Sequence, residues 1–355
     1  MAAWEGNYAG GTKLSDLVTR PEFLSYTQEE IFNRCQWLQS GAVTRNTALD
    51  AREGGAAVTV PFFKPIDPTE VVIQDNTTWG AGGYVAPEKI EAAAQIMPIL
   101  HRTYAYASSD LAAMGSGTDP LAAVRSYITR ATLRLRTRTL VAQLEGLFGT
   151  ALSGNSIDVS QATAGATEAN FISASSVIRA KHALGERGDE LSIIAMHSDV
   201  VAYLEQIGAL TFSTSALSTG GNIQWGGGGV GIGAGEAGVR MFMGLRVIVD
   251  DLLAPKVNAG GADQYHCYLL SPGALAEGVQ QELRIETDRN ILSLQDVLQC
   301  NYHYGFHLMG STFTGANNPQ NINLADPTNW GLAYSDRKMV GAVELIVNSP
   351  FAANV

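Results

Sequence analysis

The sequence predicts an elongated α+β protein, and three stretches carry that prediction. Residues 119–152 (DPLAAVRSYITRATLRLRTRTLVAQLEGLFGTAL) read as one uninterrupted helix, and residues 291–308 (ILSLQDVLQCNYHYGFHL) alternate as one long strand. Between them, residues 191–250 give strand, helix and strand in the order of a small α/β lobe.

The helix follows from what it contains and what it lacks. Asp119 can cap it, Pro120 fits the first turn, and no further Pro or Gly interrupts before Gly146. At 1.5 Å per residue the span from Leu121 to Thr150 reaches about 45 Å, more than the core of an ordinary domain requires. Leu121, Val124, Ile128, Leu135, Leu144, Leu147 and Phe148 recur at three- and four-residue spacing and predict one buried stripe. No acidic residue lies between Asp119 and Glu145, whereas Arg125, Arg130, Arg134, Arg136 and Arg138 do. Arg130, Arg134 and Arg138 stand four apart and share a face. Two readings stay open for that face: solvation with acids elsewhere in the fold, or contact with an anionic partner.

In the long strand the even positions Leu292, Leu294, Leu298, Cys300, Tyr302, Tyr304, Phe306 and Leu308 are apolar, and only Asp296 breaks the row. A strand of that length reaches about 55 Å at 3.3 Å per residue, although the part before Cys300 also fits a helix. Helix and strand of matching reach imply an elongated shape.

The rest of the chain is read in order. Residues 1–20 form an extended arm; Thr27 and Glu30 have capping-box spacing for a short helix that stops at Gly41. AVTVPFFKPIDPTEVVIQD alternates but holds Pro61, Pro65 and Pro68, which predicts an exposed hairpin, with 79–87 as its return or hinge. Residues 88–106 fit strand or helix. After the long helix come a second helix from Phe171 to Leu184, a buried strand from Leu191 to Met196, a brief helix capped by Ser198 or Asp199, and a strand from Met241 to Asp250.

Composition bounds the function. Only 16% of the 355 residues are charged, against about 25% in ordinary soluble domains, with 38 glycines and a net charge of −11. A surface this poor in charge suits a chain that covers itself with other copies. The acidic total argues against a general nucleic-acid binder. Cys35, Cys267 and Cys300 form neither a disulfide framework nor a zinc knuckle, and a reducing compartment is expected. No signal peptide and no membrane span are expected.

Candidate chemistry is sparse. Gly233 to Gly238 satisfies G-x-G-x-x-G, but a glycine run precedes it and a strand follows, the reverse of what a phosphate-binding turn needs. His303 and His307 point the same way yet stand about 13 Å apart along a strand, too far to share one ion. His266 and Cys267 are neighbours that point to opposite faces of a strand. His197, Ser198 and Asp199 hold the letters of a triad, but sequence neighbours cannot orient one another in those roles. No catalytic residue, cofactor or metal is expected.

The order of parts resembles the major capsid proteins of tailed bacteriophages with the HK97-like fold. PEFLSYTQEEIFNRCQWLQSGAV from Pro21, with its turn at Ser40 to Val43, and then GGAAVTVPFFKPID carry the resemblance, together with GLRVIVDD from Gly244 to Asp251. It implies an N-terminal arm over 1–49, an E-loop hairpin over 50–88, and a P-domain from 89 to 187 whose spine helix is 120–150. An α/β A-domain over 188–275 follows, then return strands and a C-terminal extension over 276–355, where a terminal strand lying on the shell is expected. It also implies a structural subunit without catalysis that assembles into hexamers and pentamers of an icosahedral virion in the host cytoplasm. Such a shell would enclose double-stranded DNA without sequence-specific contacts and without a membrane.

Expected contact residues are Pro61, Phe62, Phe63 and Lys64 in the hairpin and Arg130, Arg134 and Arg138 on the spine helix, the last three against DNA or the acidic edge of a neighbour. Gly226, Gly227, Gly228 and Gly229 complete the set in an A-domain loop. Expected partners are further copies, a portal, either a separately encoded scaffolding protein or none, and in some cases decoration proteins. The alternatives are an encapsulin-like compartment and, from another class, a cytosolic α/β enzyme using the tract 226–238.

Overall fold

The computed structural model of the chain describes residues 37, 40–50, 55–65, 89–111, 114, 120–163, 165–213, 239–257 and 260–352. The short helix expected after Thr27, the return at 79–87 and the glycine tract with Gly226 to Gly229 lie outside them.

The long helix, α1, runs from Pro120 to Gly149. It lies against a four-stranded sheet in the order β1, β12, β13, β4, made of Val43–Arg45, Leu275–Asn290, Gln295–Leu308 and Leu100–Ser109. β1 joins β12 in parallel and the other pairs are antiparallel. β12 and β13 form a hairpin of 16 and 14 residues, about 50 Å long at the usual rise per residue, which matches the helix above it. The strand expected from 291 therefore begins at Gln295. Leu292 and Leu294, counted in the sequence as inward residues, sit on the turn and are exposed.

The buried stripe of α1 also differs from its apolar letters. Leu121, Ile128, Leu144, Leu147 and Phe148 are buried as expected, but Leu135 is 37% exposed. Inward positions at mid-helix belong to Thr132 and Arg136, which continue the four-residue spacing from Ile128. Thr132 satisfies its hydroxyl by donating to the carbonyl of Ile128 at 2.8 Å, so a polar residue sits inside without an unmet bond.

Residues 88–106 resolve as two strands that part at Ile99: β3, Ala92–Pro98, and β4. β3 pairs with β2, Ala57–Phe63, in a separate two-stranded sheet, so Pro61 lies on an edge strand.

The second large sheet has the order β5, β16, β11, β6, β9, β8, β7, with a short strand β10 beside β11. These strands are Ser156–Asp158, Ala342–Val347, Asp263–Leu270, Ile193–Met196, Leu245–Val249, Val239–Phe242, Thr211–Ser213 and Lys256–Val257. The single strand read at 241–250 is thus two, β8 and β9, turned at Met243 and Gly244, both with positive φ. One face of this sheet packs on the C-terminal half of α1, where Phe148 and Tyr268 have ring centroids 5.5 Å apart. The other face receives α2, Ala174–His182, and α3, Ser198–Gln206, over an all-apolar cluster. The cap of α3 is His197, whose Nδ1 accepts the N–H of Asp199 at 3.1 Å, and not Ser198 or Asp199.

The chain after the long hairpin supplies a terminal strand, β16, and it lies within the subunit's own sheet. β16 runs between β5 and β11, with Ala342, Val343, Leu345 and Val347 inaccessible to solvent. Before it, β14 (Ser311–Phe313), the short helix α4 (Asn321–Ala325) and β15 (Trp330–Leu332) fold back onto α1. At Gly146 the helix meets the Leu324 carbonyl and the Trp330 indole so closely that a Cβ has no room. Among the described residues no helix is long and apolar enough to cross a membrane.

Candidate assembly surface

Three features of the four-stranded sheet bear on how this chain meets partners: its buried centre, the hairpin mounted on its open face, and its tip.

At the centre, Arg136 reaches down from α1 to pair with Glu277 of β12. Its guanidinium lies 5.2 Å from the centroid of the Tyr304 ring, which stacks on Tyr302 at 5.3 Å. Burial lowers the pKa of Arg136, while Tyr304 and Glu282 oppose that shift. The pair and the ring take up charge that the interior would otherwise reject. Arg136 is therefore a core residue, although the sequence shows it only as one of five helix arginines. Of the three expected contact residues, Arg130 and Arg138 are exposed and Arg134 is half-buried.

The opposite face of the sheet carries the β2–β3 hairpin. Gly278 and Gly305 are register partners in β12 and β13, and a Cβ on either would strike backbone: Leu49 O at 2.5 Å and Pro98 O at 2.7 Å. This glycine pair is a window through which the chain before β2 and the end of β3 press onto the sheet. Two pairs further along, on the same face, Ala276 faces His307, whose Nε2 lies 3.0 Å from Gln95 Oε1 of β3. The same oxygen accepts the N–H of Gly310 at 2.9 Å. His307 is fully buried, and burial brings its pKa down to about 4. None of these residues was singled out as a contact position in the sequence. The glycine pair becomes visible only once the register of β12 against β13 is known.

Away from the sheet, Phe62 packs edge-on against Tyr334 at 5.1 Å, Pro61 is exposed, and Phe63 is 77% exposed. Lys64 Nζ lies 2.8 Å from Glu91 Oε2 across the hairpin, and the Lys64 hydrogen bond, then that of Lys89, lowers the Glu91 pKa. Among its described residues the hairpin thus pairs Lys64 and Lys89 with Glu91 and turns Phe63 and Ile90 outward.

The tip of the β12–β13 hairpin is apolar. Leu292 is 99% exposed and Ile291 77%, with Leu294 and Leu111 also exposed. Asp110 N donates to Leu294 O at 3.1 Å, which brings the end of β4 to the same place. The charges behind the tip neutralise one another, because Arg289 binds Asp110 at 2.5 Å and Asp296 at 3.3 Å.

The arm ends in a buried contact. Trp37 Nε1 donates to Asp250 Oδ2 at 2.6 Å, and Arg246 Nη1 donates to Ser40 O at 3.1 Å. Burial raises the pKa of Asp250, opposed by the bonds from Leu252 and Trp37.

The histidines weighed in the sequence occupy separate places. His303 stacks on His101 of the neighbouring strand at 4.1 Å, His266 Nδ1 meets Glu344 Oε1 at 2.7 Å, and His197 caps α3. Tyr265 donates to Asp199 Oδ2 at 2.6 Å, so that carboxylate is engaged by a hydroxyl. Cys267 is buried, which pushes its thiol pKa up to about 12. Among the described residues no three His, Cys, Asp or Glu side chains converge to hold a metal ion.

Comparison with known proteins follows the same architecture. The family model for Gp13-like proteins, described as major capsid protein 13-like, matches residues 104–343. A major capsid protein of Bacillus phage SPP1 is 28% identical over 341 residues, 92% of this chain and 96% of that protein. Among solved structures, the capsid of Ralstonia phage GP4 aligns over 94% of this chain and 97% of its own, at 9% identity and a TM-score of 0.61. The capsid of cyanophage Pam1 aligns over 95% and 99%, at 10% identity and a TM-score of 0.57. These likenesses extend over the spine helix, both sheets and the long hairpin, and the chain belongs to the Gp13-like family of phage major capsid proteins, with the HK97-like fold.

Proposed function

We propose that this chain is the shell subunit of a tailed-phage head, assembling without catalysis into hexamers and pentamers that enclose double-stranded DNA. The observation that carries the reading is the distribution of exposed apolar side chains. They include Phe63 with Ile90 on one hairpin and Ile291, Leu292 and Leu294 on the other, beside others spread over the surface such as Met114, Val257 and Ile322, in a chain with only 16% charged residues. Extremities of this kind gain stability when another subunit covers them, and repetition around a closed ring multiplies weak contacts.

In this reading residues 1–49 are the arm, 50–88 the E-loop, 89–187 and the β12–β13 return the P-domain, and 188–275 the A-domain. Strand 342–347 is counted with the A-domain, whose sheet it shares. Arg130, Arg134 and Arg138 would face DNA or the acidic edge of a neighbour, and Gly226 to Gly229 would lie in the A-domain loop near the capsomer centre. Assembly would occur in the host cytoplasm with a separate scaffolding protein and a portal, and in some cases with decoration proteins.

Electron microscopy of the purified chain, alone and co-expressed with a candidate scaffolding protein, tests the proposal. Closed shells with five- and six-fold capsomers are expected. Discrete monomers under both conditions would remove it, and shells that fill with a protein cargo and no DNA would favour a compartment. Replacing Arg130, Arg134 and Arg138 together by Gln is expected to lower assembly or DNA filling; normally filled particles would reject the arginine assignment alone.

A further inference from the structure

The surface on which β3 crosses the four-stranded sheet is made mostly of missing side chains, and the polar ring pressed into it is that of His307. Its partner atom identifies the tautomer. Gln95 Oε1 accepts the Gly310 N–H, so the atom facing His307 is an oxygen, and Nε2 must carry the proton it donates. Nδ1 is then the bare nitrogen, and it is buried without a hydrogen-bond partner among the described residues. A proton arriving there would create a cation with an N–H aimed at no acceptor, in a site closed to water.

No charged side chain stands ready to compensate. β12 presents Ala276 to the ring, β3 presents Gln95, and the turn after β13 presents Gly310. Glu277, the nearest acid in register, pairs with Phe306 on the other face of the sheet and is engaged by Arg136 of α1. Around the hairpin base the other titratable groups are His303, four residues along β13 and stacked on His101, and Asp50, which accepts the Val279 N–H at 2.9 Å and pairs with Arg45 at 3.6 Å.

We propose that His307 and Gln95 form a proton-operated latch that fixes the base of the β2–β3 hairpin to the four-stranded sheet. It is closed while the imidazole is neutral and opens when Nδ1 is protonated. The inference concerns the single subunit and stands apart from how subunits assemble.

The direction follows from linkage. Burial holds the closed ring at a pKa of about 4, below its ordinary 6.5. The opened ring takes up a proton more readily between those values, so opening becomes easier as pH falls through that window and levels off below it. The full displacement corresponds to an increase of about 300-fold in the opening equilibrium.

Hydrogen exchange of the purified full-length subunit from pH 7.5 to 4, corrected for the pH dependence of chemical exchange, tests this. Amides of residues 92–97 are expected to lose protection towards the 300-fold limit while those of Ile193–Met196 keep theirs. His307→Gln retains a donor for Gln95 but cannot titrate, and its hairpin response is expected to be flat. An equal response in both proteins would overturn the latch. If that variant does not fold, the imidazole C2–H titration of the unaltered chain decides: a midpoint near 4 that coincides with hairpin release supports the latch. Titration at the ordinary value, or without release, refutes it.

Discussion

The two ends of α1 are built on opposite rules. Towards its C-terminus, Leu140, Leu144, Leu147 and Phe148 enter a large apolar cluster shared with the α/β sheet, and Gly146 and Gly149 admit the 324–330 segment to helix contact. Towards its N-terminus Leu121 and Ile128 form a small cluster with Leu298 and Cys300, and beyond them Leu111, Ile291, Leu292 and Leu294 are exposed. The first end is complete within one chain. At the second, among the described residues, a few specific pairings hold the structure and apolar side chains stand exposed. Rigidity at one end and unfinished surface at the other is what a tile requires.

Substitutions can break that contrast, and the largest effect is expected between the two ends. Arg136→Ala leaves Glu277 buried without its cation and is expected to cost about 3–5 kcal/mol in urea unfolding. Replacing both, Arg136→Met with Glu277→Leu, is expected to recover most of that loss; a double variant as unstable as the single one would show that the pair is not the source. In the self-contained half, Leu345→Ala removes a fully buried side chain and is expected to cost about 2–5 kcal/mol, with a matching fall in Tm. Gly305→Ala places a methyl against the Pro98 carbonyl, and a cost of about 1–3 kcal/mol is expected, with amide exchange rising first in β2 and β3. The smallest effect on stability belongs to the tip. Leu292→Ser is expected to change unfolding by less than about 0.5 kcal/mol while sharply lowering the yield of shells, and undiminished shell yield would detach the tip from assembly.

The same contrast marks how far the sequence could be read. The spine helix was legible because nothing between Pro120 and Gly146 interrupts it, and β13 because its alternation survives from Leu298 to Leu308. Its partner β12 is not, since Gly278 and the run from Arg284 to Asn290, polar except for Ile285, erase any alternation. Periodicity assigns faces but not partners, so Arg136 could not be told from Arg134 and Arg138, and one turn's displacement set Leu135 outside and Thr132 inside. Leu292 and Leu294 were placed inward for a related reason: an apolar letter on a turn looks the same as one on a strand. The hairpin mount escaped entirely, because two glycines 27 positions apart become a window only when the register joins them.

The placement of Ala342–Val347 reaches into how the chain is made. Of the described strands this is the last to leave the ribosome, yet it fills the slot between β5 and β11. Until it emerges, the sheet has a gap where its most shielded strand belongs, and the carbonyls and amides of β11 on that side lack their partners. Closure of the α/β half therefore waits until synthesis has passed Val347. A prematurely terminated chain is left with an open sheet edge in place of a finished one, which excludes it from the company of complete subunits before any contact between them is tested.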